Sequence, residues 1–185
     1  MAKSRNVRGS FFAEYVRMLR RRKDVNWREV LAPEDLVYLT QRIEADHWYP
    51  MESFERLGLA ILAKLEGATL DAVHMWGRYS AHHFVKEHGD LVKAGDAVDT
   101  MMRLKVQRET LFDFPAFDVP MLIDGEAHVL IAYGMGAQAE EAACHQTMGF
   151  CEGILSLAGA GDVHGQFAER AWCAEPRTRL VLQWR

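Results

Sequence analysis

The hydrophobic pattern of this 185-residue chain changes period once, near residue 110, and a segment that resists helix formation marks the change. Residues 112–120 (FDFPAFDVP) carry two prolines, Pro115 and Pro120, so the stretch reads as an extended aromatic linker. Apolar residues ahead of it recur at helical spacing; behind it they alternate or run in short blocks. The fold class predicted is α+β, with N-terminal helices followed by a ββαββ unit forming a four-stranded antiparallel sheet.

Five helices are expected before the linker. Ser10 caps the first, with Phe11, Phe12, Tyr15, Val16 and Leu19 on one face and the basic run 20–23 at its end. Pro33, followed by Glu34 and Asp35, opens a second with Leu36, Leu39 and Ile43 on one face. Pro50 opens a third, with Phe54, Leu57, Ile61 and Leu65 apolar and Gly67 as its C-cap. Thr69 or Asp71 starts a fourth running to Gly89, and Asp96 caps a fifth that repeats Val98, Met101, Met102 and Val106 to about Arg108. After the linker, Met121 to Tyr133 reads as a hairpin turning at Asp124-Gly125. One more helix is expected from Gln138 to about Leu157, then strands at Val163–Cys173 and Arg177–Trp184.

Charge is distributed unevenly. Residues 1–23 hold eight Lys/Arg against Glu14 alone, a net +7, while the whole chain is at −4 and the remainder therefore at −11. Hydrophobic residues at 49% and charged residues at 26% exclude wholesale disorder. No apolar h-region follows the N-terminal basic residues, and no run approaches the 18 or so apolar residues of a membrane span. Cys144, Cys151 and Cys173 form no CxxC pair, which suits a reducing compartment. A cytoplasmic protein is expected.

The chemical motifs are sparse. His74 and His82 lie two turns apart, about 12 Å along a helix axis, too far to share an ion, and HExxH is absent. Cys144 and Cys151 share a helix face with Met148 and Leu155, so they read as core residues and no metal site is assigned. Nucleophile elbows and phosphate loops are missing: Gly134-Met135-Gly136 lacks either continuation. No catalytic residue is named, and the chain is not expected to be an enzyme. The basic segment has no nucleic-acid motif, so Arg20, Arg21 and Arg22 are assigned to a protein partner, with no nucleic acid. Aromatic and methionine side chains cluster from the fourth helix to the hairpin. Trp76, Tyr79, Met101, Phe114 and Tyr133 are candidate liners of a pocket for a small apolar ligand.

The order of these elements resembles the haem-nitric-oxide/oxygen-binding (H-NOX) domains. More broadly it is similar to the superfamily joining them to vinyl-reductase-type sensor domains and TRAPP-type trafficking subunits. Phe54-Glu55-Arg56-Leu57, Gly77-Arg78-Tyr79 with Phe84, and His88-Gly89-Asp90-Leu91 carry the likeness. It continues through Phe114-Pro115, the hairpin ending at Tyr133, residues 149–155 (GFCEGIL) and Glu169 to Trp184. It covers about residues 50–185, leaving 1–49 as a helical extension of one domain. Val7 to Ser10 and Trp48 to Pro50 also resemble an uncharacterised myxobacterial paralogous family.

The resemblance implies a haem site, and the departures from it are specific. The family's axial histidine belongs on the helix before the linker; residues 96–110 contain none, and Met101 and Met102 are the soft donors there. The family's Tyr-x-Ser-x-Arg motif reads Tyr133-Gly134-Met135-Gly136-Ala137 here, without the cation that would meet a carboxylate. Cys151 and Cys173 match the zinc-carrying relatives only loosely, and their late cysteine is absent. No cofactor is therefore expected, haem included. The function expected is a non-enzymatic sensing or signalling adaptor domain with a protein partner. The alternatives are an interaction module with a filled pocket, or a gas sensor ligating haem through another residue such as His128 or His145. A homodimer is implied by the resemblance alone.

Overall fold

A computed structural model describes residues 4–64 and 69–185. The chain divides into two compact units: residues 1–68 with 110–114, and residues 69–109 with 115–185.

The first unit pairs two three-residue strands, β1 (Asn6–Arg8) and β2 (Trp48–Pro50), beside helices α1 (Gly9–Arg21) and α2 (Met51–Lys64). Apolar spacing predicts both helices, but Ser10 is not the cap of α1. The Gly9 and Ser10 amides donate instead to the His47 and Ala45 carbonyls, so a loop far along the chain satisfies the free N–H groups. Gly9 is required there, since a Cβ would lie 1.9 Å from the Glu44 carbonyl oxygen. Aromatic rings fill the core: Phe12 stacks on Tyr49 at 4.6 Å and Tyr15 on Phe54 at 4.3 Å.

The helix expected from Pro33 shrinks to a 3-10 turn at Leu36–Leu39. Asp35, expected in its first turn, is fully buried and holds Arg56 of α2 through two bonds of 2.5 and 2.9 Å. The Tyr38 and Gln41 carbonyls, which a longer helix would engage, accept from the Arg20 guanidinium. Tertiary partners thus outbid local propensity. The expected Gly67 cap and Leu65 lie outside the described residues.

The second unit holds α3 (Leu70–Glu87), α4 (Ala97–Glu109), β3 (Phe117–Ile123), β4 (Glu126–Ile131), α5 (Ala137–Leu157), β5 (His164–Glu169) and β6 (Thr178–Gln183). The four strands form one antiparallel sheet in the order β3-β4-β6-β5, so the fold is α+β as predicted. Thr69 caps α3 by accepting from the Ala72 amide, and the Asp96 carboxylate accepts from the Asp99 amide at the start of α4. The Asp124-Gly125 turn closes the first hairpin, with Gly125 at φ +82°. β3 begins four residues before the expected Met121. Pro120 is tolerated because β3 is an edge strand with a register shift between Asp118 and Met121. The single strand expected over 163–173 is divided: β5 stops at Glu169 and a 3-10 turn follows at Ala171–Cys173. The Ala171 amide donates to the Thr178 hydroxyl and Ala174 sits at φ +67°, both incompatible with a continuing strand.

α3 and α5 cross backbone to backbone. A Cβ at Gly77 would lie 2.1 Å from the Gln146 carbonyl oxygen, and one at Gly149 would lie 2.0 Å from that of His74. Gly153 meets Ala81 and the Arg78 carbonyl in the same way. Gly149→Ala should therefore cost at least about 3 kcal/mol, by overpacking against backbone that cannot yield. Gly89→Ala, whose nearest neighbour is the Val85 carbonyl oxygen at 4.0 Å, should be near neutral. Urea unfolding of the two variants measures the contrast, and equal losses would contradict this packing.

Candidate functional site

The interior of the second unit converges on Tyr133, which follows β4 and is 2% exposed. Its hydroxyl shares a 2.7 Å hydrogen bond with Thr147 of α5. The chain then turns through Gly134 at φ +66°. Glu140, buried in the first turn of α5, accepts from the Tyr133 amide at 3.1 Å and the Met135 amide at 2.9 Å. A carboxylate at a helix N-terminus is favoured by the macrodipole, and here it also ties down the approaching loop.

The thiols Cys144 and Cys151 of α5 are buried near Tyr133, and Met101 of α4 is fully buried in the same unit. Cys144 donates to the Thr178 hydroxyl at 3.6 Å. Arg108, in the last turn of α4, is 3% exposed and stands 4.8 Å from the Phe150 ring centroid and 5.7 Å from that of Phe117. A desolvated guanidinium over an aromatic face gains about 2 kcal/mol from the ring quadrupole. Burial raises the Tyr133 phenol to about 12 and the Cys151 thiol to about 12, and in both the positive charge of Arg108 works against the rise. Burial also pushes the Cys144 thiol up strongly. Thiolates are disfavoured here, so neither cysteine is an activated nucleophile.

A second polar centre joins α3, α5 and β5. Glu152, buried on α5, accepts from Arg78 at 2.9 Å and from the Gly165 amide at 2.9 Å, and its other contact is to His74 Nε2 at 2.8 Å. On the flank of α5, His145 packs edge-on to Phe167, with Trp172 against Phe167 at 5.0 Å. Partial burial holds the His145 imidazolium below the ordinary histidine range. Among the described residues no three His, Cys, Asp or Glu side chains come together as a metal site. No described helix is long and apolar enough to cross a membrane.

The residues singled out from the sequence separate. Met101 and Tyr133 are buried in the second unit and Trp76 is half-buried there. Tyr79 is 62% exposed and stacks edge-on to His83, so it lines no interior. Gly77, not Tyr79, faces α5, and two residues on from it the helix has turned to solvent. Phe114 belongs to the first unit, half-buried against Phe112 at 5.5 Å with Arg5 over its ring. Of the three arginines assigned to a partner, Arg20 is spent on the Tyr38 and Gln41 carbonyls, and Arg22 holds Asp24 by bonds of 2.8 and 2.6 Å. Arg21 is exposed. Glu140, which beside Glu141 reads in the sequence as part of a solvated helix face, is instead 2% exposed because the Tyr133 and Met135 amides draw it inward. Arg108 and Glu152 carried no assigned role in the sequence, and a charged residue inside an otherwise apolar helical stripe was the available signal for Glu152.

No family model matches this sequence, and no curated protein matches it significantly. Solved structures do. An H-NOX protein from S. oneidensis in an Fe(II)NO ligation state superposes with a TM-score of 0.65 at 14% identity, covering 96% of this chain and 99% of that one. A single-site mutant of T. Tengcongensis H-NOX gives 0.62 at 13% identity over 96% and 97% of the two chains. An unliganded Fe(II) H-NOX protein from K. algicida gives 0.61 at 8% identity over 96% of each. The chain therefore has an H-NOX-like fold.

The raised acid groups make stability depend on alkaline pH. An unfolded chain releases the Cys151 and Tyr133 protons near pH 9 and 10, whereas the folded chain keeps both until about 12. Their contribution is complete below pH 9 and is lost as pH rises toward 12, each group tending to a slope of about 1.4 kcal/mol per pH unit. Cys151→Val should flatten the decline between pH 9 and 10, measured by urea unfolding at stepped pH. An unchanged slope would contradict the burial of that thiol.

Proposed function

We propose that this chain is a non-enzymatic cytoplasmic signalling domain that uses an H-NOX-like fold as an adaptor, without a histidine-ligated haem. One observation supports the reading: the buried polar groups near Tyr133 find their partners within the second unit itself. The tyrosine hydroxyl meets Thr147, Cys144 meets Thr178, Glu140 holds two loop amides and Arg108 lies against Phe117 and Phe150.

The residues present do not fit a haem held through α4. That helix carries no histidine along Ala97–Glu109, so it offers no imidazole to an iron. Ala137, at the first position of α5, presents no cation to a propionate. The same surroundings supply no activated nucleophile, consistent with a domain that performs no chemistry.

Of the two roles expected from the sequence, small-molecule sensing and partner docking, the self-satisfied interior supports docking. The contact is assigned to Arg21 and to Lys23, both exposed, in the basic segment 1–23 whose charge complements an acidic protein surface. Exposed cations of this kind act on encounter rate and salt sensitivity more than on fold.

Native mass spectrometry of protein expressed with haem supplied tests the proposal. The expected mass is that of the polypeptide alone or of its oligomer, with no Soret absorbance. A stoichiometric Soret band abolished by His128→Ala or His145→Ala would overturn it. Arg21→Ala with Lys23→Ala should leave the melting temperature within about 1–2 °C while weakening capture of the partner at low salt. Arg20→Ala should instead lower stability, because it frees two carbonyls.

A further inference from the structure

Arg108 is an unusual residue for the place it occupies. Cations at the last turn of a helix normally reach solvent and gain from the macrodipole there. This one is only 3% exposed, pointing from α4 to aromatic rings supplied by β3 and α5. Its charge is felt at Tyr133 and at Cys151, from the loop after β4 and the middle of α5. A guanidinium is planar, delocalised and more weakly hydrated than an ammonium, which makes it the cation best able to stand among rings. Three other parts of the second unit, β3, α5 and the loop after β4, therefore lie near one side chain of α4.

We infer that Arg108 is the interior's own occupant: its guanidinium fills the space beside the Phe117 and Phe150 rings and so sets this chain's selectivity against exogenous planar or apolar groups there. The inference rests on the adaptor reading above and deepens it by naming the side chain that closes the interior. Truncating the side chain to alanine removes the guanidinium and the methylenes that carry it, and leaves a space bordered by the Phe117 and Phe150 rings. Apolar cavities of that kind stay dry and take up small aromatic molecules.

The full-length chain and its Arg108→Ala and Arg108→Met variants are melted with and without saturating benzene, and separately with millimolar methylguanidinium. Arg108→Ala should melt about 5–10 °C below the parent and recover several degrees with either additive. Recovery with methylguanidinium but not with methylammonium at equal concentration identifies the planar cation as the missing group, which a plain volume filler would not require. Arg108→Met, which keeps the volume, should lose less and respond little to benzene. The inference is overturned if the parent gains as much from benzene as Arg108→Ala does, or if Arg108→Ala melts with the parent and responds to nothing. Should Arg108→Ala not fold, Arg108→Val takes its place with the same expected recoveries. A stoichiometric haem in the parent would sink the adaptor reading, whereas unresponsive variants of a haem-free parent would sink only the role given to Arg108.

Discussion

The contact on which the second unit depends is the glycine seam between α3 and α5. Gly77, Gly149 and Gly153 let the two helices approach until the carbonyls of His74, Arg78 and Gln146 fill the space a methyl would need. Seams of this kind depend on dispersion between backbones, which is weak per atom pair and large only because the fit is continuous. They also dictate what the flanks can hold. With the crossing so close, side chains beside the seam reach the opposite helix directly, and Glu152 meets His74 and Arg78 there. Glu152 goes on to take the Gly165 amide of β5, so the position of an edge strand is tied to the position of the helix pair.

Buried carboxylates do the equivalent work at each end of α5. Glu140 gathers the Tyr133 and Met135 amides near its N-terminus, and Glu152 gathers two α3 side chains and a strand amide further along. Each is surrounded by donors, which is the condition for burying an acid without a prohibitive desolvation cost. In the first unit Asp35 follows the same rule with Arg56. These acids are organisers of loops and turns, so a count of titratable groups in this interior overstates the chemistry available in it.

Features set by neighbours in sequence were legible: the caps at Thr69 and Asp96, the Asp124-Gly125 turn and the long apolar helix before Gly159 all appear as expected. Features set by distant partners were not. Ser10 looks like a cap, but carbonyls of Ala45 and His47 arrive first. The segment after Pro33 has helical spacing, yet Arg20 and Arg56 draw its carbonyls and its aspartate elsewhere. Tyr79 shares the aromatic character of Tyr133 but lies on the solvent side of a helix whose opposite side is spent on glycines. Periodicity finds an apolar face; it does not say which residue on that face has room.

Arg108 shows why the candidate site was the least legible part. In sequence it ends a helix in the way solvated arginines usually do, and nothing local distinguishes it. Its burial follows from Phe117, which lies beyond the aromatic linker, and from Phe150, set beside the glycine seam at Gly149. The close crossing that places α5 against α3 thereby also places Phe150 under the guanidinium. The selectivity of the interior is then decided by the end of α4, while the architecture around it is decided by three glycines.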